Sequence, residues 1–166
     1  MRILGDDVAT RESRPTLPAP RPSAWWRRFF PVMYRLIRLG EAPLLAWWRR
    51  FGYGNIVELR VPGRRSGEPR HAVLGLLRDG NRWFLGHPSG HVPWTRNLEA
   101  ARDAELVLRW PGTIPVRATI LPAGELRDRA ILATGQHPFP GNLVYRLARA
   151  HIRAEGVFFV IERLDV

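Results

Sequence analysis

A basic turn between two strand-like runs constrains this chain more than any other feature. The turn lies in the segment Val61–Leu74, which reads VPGRRSGEPRHAVL. Gly63 and Gly67 can adopt the positive φ angles that a compact turn requires, and two prolines restrict its freedom. Three arginines and a serine supply the groups that suit a phosphate or a carboxylate: Arg64, Arg65, Ser66 and Arg70. A second interpretation stays open, because glycine and arginine are also common in solvated hairpin loops.

The residues on both sides of this turn predict antiparallel strands. Residues 55–61 alternate between apolar and polar side chains, which is the period of a half-buried strand. After the turn, Ala72–Leu77 predicts an apolar strand, and Asp79-Gly80 predicts a hairpin turn into a strand at Arg82–Gly86. We interpret these strands as the central meander of a barrel.

Farther along the chain, the pattern changes between helical and strand-like segments. It predicts a helix at Trp94–Ala101, strands at Leu106–Trp110 and Val116–Leu121, helices at Glu125–Thr134 and Leu143–Ala150, the latter capped by Asn142, and a strand at Val157–Ile161. This order favours a small barrel with peripheral helices over a parallel α/β sheet. We expect one barrel domain over residues 52–166, since a chain of 166 residues with 45% hydrophobic residues can bury one sizeable core.

The first 51 residues differ in composition from this domain. Residues 1–22 combine charges with four prolines and have no periodicity, which predicts a disordered tail. Residues 23–51 predict an amphipathic helical segment, with arginines opposite an apolar face formed by Trp26, Phe29, Phe30, Met33 and Ile37. Ala42–Phe51 repeats the tryptophan and arginine pattern. Such helices lie in a membrane interface or pack on the barrel, and the sequence leaves both roles open.

The formal net charge of +11 favours anionic ligands without naming one. All 26 basic residues are arginine, and a chain without lysine indicates a general composition bias. Charge alone would favour a nucleic-acid binder, but the aromatic residues lie in predicted helices and strands and do not form a basic stacking platform. We therefore expect no nucleic-acid partner.

Catalytic and metal-binding motifs are scarce in the sequence. Without cysteine, the chain cannot form disulfides, thiolate nucleophiles or cysteine-ligated metal sites. His87 and His91 lie in one loop without a third ligand at a recognisable spacing, so no metal site is predicted. A hydride-transfer enzyme would still need few catalytic groups of its own, because a bound cofactor carries that chemistry.

Two motifs together resemble the deazaflavin-dependent nitroreductase family, whose members carry a Gly-Arg-Lys/Arg-Ser-Gly-x-Pro-Arg turn and a downstream Trp-x-x-Asn-Leu. In this chain they read GRRSGEPR at Gly63–Arg70 and WTRNL at Trp94–Leu98. The resemblance covers roughly residues 56–162. It implies an α+β fold, a split β-barrel of the FMN-binding type with peripheral helices and an N-terminal amphipathic helix.

The resemblance also implies an activity and a cofactor. It implies an oxidoreductase that transfers a hydride from reduced coenzyme F(420), a deazaflavin, to a small conjugated, quinone-like or nitro acceptor. The phosphate and glutamates in the tail of F(420) would explain the arginine turn. FMN is the alternative cofactor.

The site residues follow from the same resemblance, position by position. It assigns Arg64, Arg65, Ser66 and Arg70 to the phosphate and tail. Around the ring it places Val73, Leu74, Gly86, His87, Pro88 and Ser89. The pocket would be closed by Pro93, Trp94, Arg96 and Asn97, and Tyr145 would position the substrate.

Three further expectations concern location, assembly and a rival function. No cleavable leader or stretch of spanning length occurs in the sequence, which predicts a cytoplasmic protein. The N-terminal helix would hold it peripherally on the anionic inner face of the cell membrane. The resemblance implies a homodimer. The rival function is a non-enzymatic barrel that binds a lipid or fatty acid at the membrane surface.

Overall fold

Seven antiparallel strands form one curled sheet, and their order across the sheet is β2-β1-β5-β6-β7-β4-β3. This computed structural model describes residues 22–39 and 54–164, with backbone only for residues 37–39. The strands are β1 (Ile56–Pro62), β2 (Pro69–Gly75), β3 (Leu77–Asp79), β4 (Arg82–His87), β5 (Asp103–Val107), β6 (Thr113–Ile120) and β7 (Val157–Arg163).

Five helices accompany the sheet in the described part of the chain. They are α1 (Ala24–Leu39), α2 (Pro93–Ala101), α3 (Glu125–Ala133), α4 (Gly141–Leu147) and α5 (Arg149–Glu155), and a short 3-10 turn, Thr134–Gln136, follows α3. The combination of an antiparallel sheet with peripheral helices confirms the predicted α+β class. No described helix is long and apolar enough to cross a membrane.

The predicted central meander is wrong, because the chain changes strand partner at Leu76. The apolar run Ala72–Leu77 is divided between β2 and β3, which lie at opposite edges of the sheet. At the division the N–H of Leu76 donates to the carbonyl of Asn55 at 2.7 Å, and the amide of Asn55 donates to the carbonyl of Leu76 at 3.0 Å. Because the run is apolar throughout, its composition contains no signal for this change of strand partner.

Two later elements also differ from the prediction. The fifth strand is Asp103–Val107, which begins three residues before the predicted Leu106–Trp110. Residues Asp103–Val107 pair with β6. Trp110 lies in the turn that follows and is 86% exposed. The predicted last helix is two helices that meet at Ala148. Asn142 is not its cap, because α4 follows Pro140 and has no side-chain cap.

Alternation along the strands divides the core into two apolar clusters. On β7, Phe159 belongs to the first cluster, inside the curled sheet, and its neighbour Phe158 belongs to the second. The second cluster lies against the outer face of the sheet and includes residues of α1, α3 and α5, such as Phe30, Ile131 and Ile152. Helices thus cover the face of β4 and β7 that points away from the interior.

Helix α1 packs on the barrel through most of the apolar face predicted for it. Phe30 is fully buried in the second cluster, and Trp26, Phe29 and Met33 pack against the same cluster. This face is therefore not free to enter a membrane. The side chain of Ile37, the predicted tail except Pro22, and the repeat at Ala42–Phe51 lie outside the described residues.

Candidate functional site

The basic turn is a tight hairpin loop between β1 and β2. The N–H of Gly63 donates to the carbonyl of Glu68, and the N–H of Gly67 donates to the carbonyl of Gly63, both at 2.8 Å. Gly67 has φ 69°, a left-handed conformation that favours glycine. The Oγ of Ser66 accepts from the N–H of Glu68 at 3.3 Å, so this hydroxyl helps to shape the loop.

The loop is tied to α2 through Asn97. The Oδ1 atom of Asn97 accepts from the backbone N–H of Arg64 at 3.3 Å and from Nη1 of Arg64 at 3.1 Å. The Asn97 side chain is buried, and α2 is held at its start because the N–H of Val92 donates to Oγ1 of Thr95 at 2.9 Å. The two sequence motifs are therefore in direct contact, although 33 residues separate these two positions.

Three further arginines around this loop are exposed: Arg65, Arg70 and Arg96. None of them has an ion pair within the described residues, and the loop itself carries one carboxylate, on Glu68. Exposed guanidinium groups without carboxylate partners can bind an anionic ligand bidentately. We call this group, with Arg64, Ser66 and Asn97, the basic loop.

Trp94 lies on α2, the helix that carries Asn97, and its ring is near the core and near His87. Its ring packs against the first core cluster, 6.3 Å from the ring of Phe159 and 6.4 Å from the imidazole of His87. Leu74 packs against the same cluster, and Val73 is half-buried on β2. Pro93 begins α2 and is exposed.

His87, at the end of β4, is the first residue of a buried aromatic and histidine cluster. Its ring lies 4.7 Å from the ring of Tyr34 on α1, and its Nδ1 accepts from the N–H of Ser89 at 3.2 Å. Burial lowers the pKa of His87 to about 4, so the imidazole is neutral at pH 7. Pro88 is buried beside it, and the preceding Gly86 makes room for Phe158, whose ring a Cβ at Gly86 would overlap.

Two tyrosine hydroxyls meet next to His87. The hydroxyl oxygens of Tyr34 and Tyr145 are 2.7 Å apart, so one hydroxyl donates to the other. Burial raises the pKa of both phenols, and both stay protonated at neutral pH. Among the contacts of the described residues, Tyr34 links Tyr145 to His87.

His137 also packs against Tyr145. The two rings stack with centroids 4.5 Å apart, and burial lowers the pKa of His137 to about 4. The imidazole packs directly on the backbone of Gly75, at the end of β2, where a Cβ would overlap it. A glycine is required at this position because the ring occupies the space that a side chain would take.

A polar connection continues from the cluster toward the surface. The Oγ of Ser89 lies 3.2 Å from Nε2 of His151, and Phe30 stacks on that imidazole at 5.8 Å. Nε2 of His151 lies 3.9 Å from Glu155, which also accepts from Arg27 of α1. The Nδ1 atom of His151 is buried and has no hydrogen-bond partner.

The structure thus brings most of the predicted site residues together in two groups, the basic loop and the cluster around His87, whereas Val73, Leu74 and Pro93 belong to neither. The sequence interpretation missed three residues of the buried cluster: Tyr34, His137 and His151. Tyr34 lies on the predicted amphipathic helix and His137 in a proline-rich loop, and neither belongs to a motif. Within residues 22–39 and 54–164, no group of three side chains could hold a metal ion.

Comparisons with known proteins identify the fold. No family profile matches the sequence, and no curated protein matches it either. Among solved structures, the chain is similar to the heme storage protein HutZ from Vibrio cholerae, at 13% identity over 75% of this chain and 90% of that one, with a TM-score of 0.53. It is also similar to a conserved hypothetical protein from Mycobacterium tuberculosis, at 14% identity, 72% and 80% coverage and a TM-score of 0.52.

A third similar structure is an F(420)H2-dependent reductase, at 21% identity over 65% of this chain and 94% of that one, with a TM-score of 0.50. At these identities the likeness shows the fold. The neighbours are split β-barrels of the FMN-binding type, and the chain has this predicted fold.

Proposed function

We propose that this chain is an oxidoreductase that uses reduced coenzyme F(420) and passes a hydride to a small conjugated, quinone-like or nitro acceptor. The observation that carries the proposal is the contact between Arg64 and Asn97. It joins the two halves of the motif pair, whose combination resembles the deazaflavin-dependent nitroreductases, at one place on the surface. The solved reductase of similar fold supports the same cofactor class.

The basic loop fits the anionic tail of F(420). Its exposed guanidinium groups on Arg65, Arg70 and Arg96 have no carboxylate partner among the described residues, and so they are available to phosphate and carboxylate oxygens. The guanidinium of Arg64 already donates to Asn97. We therefore assign Arg64 mainly to holding the loop, and Arg65, Arg70 and Arg96 to binding the tail.

The buried cluster fits the other requirement of a hydride-transfer site, which is the exclusion of water. When bound, the coenzyme would supply the hydride, and the protein would bind, orient and desolvate the reactants. His87 and His137 are neutral, and the phenols of Tyr34 and Tyr145 keep their protons. The hydroxyl of Tyr145, held at 2.7 Å from that of Tyr34, is positioned to donate a hydrogen bond to the acceptor once the pair opens.

The test is a binding titration followed by tryptophan fluorescence, with F(420), FMN and a fatty acid as separate ligands. We expect F(420) to bind at least tenfold more tightly than FMN, because the longer anionic tail makes additional charge-assisted hydrogen bonds. Added salt should weaken F(420) binding by screening these exposed charges. Equal or tighter binding of FMN would assign the site to flavin, and binding of the fatty acid alone would favour the non-enzymatic alternative.

A homodimer stays a prediction of the family resemblance. Sedimentation velocity of the full chain, with and without F(420), measures it directly. A monomer that binds F(420) would contradict the dimer and leave the cofactor assignment intact.

A further inference from the structure

Helix α1 carries a second apolar face, most of which is exposed. Trp25, Val32 and Leu36 are 59%, 58% and 64% exposed, and Phe29 lies between them, half-buried. At 100° per residue these four side chains fall within about 60° of one another on the helix surface. They form a stripe along most of the helix, and we call it the outer stripe.

The outer stripe is distinct from the face that holds α1 in place. Trp26, Phe30 and Tyr34 lie roughly 130° around the helix from it and pack on the barrel. Arg27, which binds Glu155, also lies away from the stripe. The helix is therefore anchored through one side, and its outer stripe is presented to the surroundings.

Arginines line one edge of the outer stripe. Arg28 and Arg35 are exposed, lie roughly 80° from the centre of the stripe, and have no ion pair within the described residues. Helix α1 contains no acidic residue. An exposed apolar stripe with tryptophan, bordered by unpaired cations, has the composition of a helix that lies flat in the interface of an anionic bilayer.

We propose that α1 docks the folded barrel on an anionic lipid surface through the exposed side chains of Trp25, Val32 and Leu36, with Arg28 and Arg35 on the lipid headgroups. A second copy of the chain fits this face less well. Pairing two such helices would bring their unpaired arginines together, and like charges at close range repel. The proposal does not depend on the cofactor, because none of the stripe residues belongs to the basic loop or the buried cluster.

The experiment is co-sedimentation of the full chain with vesicles of phosphatidylcholine alone or of equal parts phosphatidylcholine and phosphatidylglycerol. We expect pelleting with the anionic vesicles at low salt and its loss at high salt. Arg28→Gln with Arg35→Gln should weaken partitioning by about fivefold for each arginine removed. Trp25→Gln with Leu36→Gln should weaken it by about tenfold or more for each side chain, because acyl burial is lost.

Matched controls change the same residue types elsewhere on the surface. Trp110 and Leu132 are 86% and 51% exposed and lie outside α1, so Trp110→Gln with Leu132→Gln should change partitioning by less than about twofold. Arg82→Gln with Arg109→Gln matches the charge change of the arginine pair. All variants alter exposed side chains, and thermal unfolding checks that each keeps the fold.

Three outcomes would overturn the proposal. The first is the absence of pelleting of the unmodified chain with anionic vesicles at low salt. The second is an equal loss of partitioning in the control and stripe variants. The third is concentration-dependent self-association that Leu36→Gln abolishes while lipid partitioning stays unchanged, since this would assign the stripe to a second copy of the chain.

Discussion

The basic loop and the buried cluster are built from opposite physical chemistry, although helix α2 carries Asn97 of the loop as well as Trp94, whose ring lies 6.4 Å from that of His87. The loop presents exposed, positively charged guanidinium groups. The cluster holds imidazoles and phenols whose burial keeps them neutral. Salt should therefore affect ligand binding at the loop, whereas pH should affect the stability of the cluster.

This difference is what the proposed function would require, since that function needs an anionic tail and a planar ring to be bound by adjacent groups. A charged tail needs cations that remain solvated until it arrives, because burying unpaired cations would cost several kcal/mol each. A hydride acceptor needs a dry site, in which titratable side chains persist only in their neutral forms. Separating the two functions in space avoids placing guanidinium groups beside the ring.

The largest expected effect on ligand affinity is on the loop side of the comparison. Arg65→Ala with Arg70→Ala should weaken F(420) binding by about 3 kcal/mol or more, roughly 100-fold, because each arginine contributes charge-assisted hydrogen bonds worth about 1.5 kcal/mol or more. The unfolding midpoint in urea should not change, since both side chains are exposed. Isothermal titration calorimetry measures the affinity.

Arg82→Ala with Arg109→Ala is the matched control, with the same loss of charge at exposed positions outside the basic loop. It should retain nearly all of the affinity. If this control lost as much affinity as the loop variant, general electrostatic attraction and not the loop would explain binding.

The second expected effect is a loss of folding stability at low pH, caused by the buried histidines of the cluster. The folded-state pKa values of His87 and His137 are about 4, below the unfolded value near 6.5, so the unfolded chain binds more protons between these values. Their contribution to stability is complete above pH 6.5 and is lost as the pH falls toward 4. At pH 5 each histidine should lower the free energy of unfolding by roughly 2 kcal/mol.

Urea unfolding at pH 7.5 and pH 5 measures this loss. His137→Phe keeps an aromatic ring against Tyr145 and removes one titrating group, so it should reduce the pH dependence by about half. Leu132→Gln alters an exposed side chain that does not titrate and should leave the pH dependence unchanged. Equal pH dependence in His137→Phe and the unmodified chain would show that the buried imidazole does not titrate as expected.

The smallest expected effect is the loss of stability when one hydroxyl of the Tyr34–Tyr145 pair is removed. Tyr34→Phe or Tyr145→Phe alone leaves one buried hydroxyl without its partner, which should cost about 1–3 kcal/mol of stability. Changing both should cost less than the sum of the two single changes, because no unpaired hydroxyl remains. A double-mutant cycle of unfolding free energies measures the coupling, and strict additivity would contradict a direct hydroxyl contact.

Much of the fold follows from local pattern. The alternation before Gly63 predicts β1, the glycines and arginines predict the hairpin loop, and Asp79-Gly80 predicts the turn between β3 and β4, where Gly80 has φ 57°. The family resemblance assigned the loop and Asn97 to one site, and the structure shows that Arg64 of the loop donates to Asn97. These predictions succeed because turn chemistry and strand period are properties of neighbouring residues.

The features that the sequence did not predict share one cause: each depends on contacts with residues that are distant in the sequence. The run Ala72–Leu77 reads as one strand, and only the pairing of its two ends with β1 and β4 divides it at Leu76. Likewise, His137 requires a glycine at position 75, and nothing near Gly75 in the sequence indicates an imidazole packed on it.

By itself, the sequence determined the basic loop, the strand periods, the amphipathic character of α1 and the absence of cysteine chemistry. Only the tertiary structure decided which face of α1 packs on the barrel and which remains outside. It also decided that Tyr34 meets Tyr145 across 111 residues of sequence. The physical reason is that the helical period of the sequence shows both apolar faces of α1 but does not indicate which one is buried. Burial depends on the shape of the surface against which each face packs.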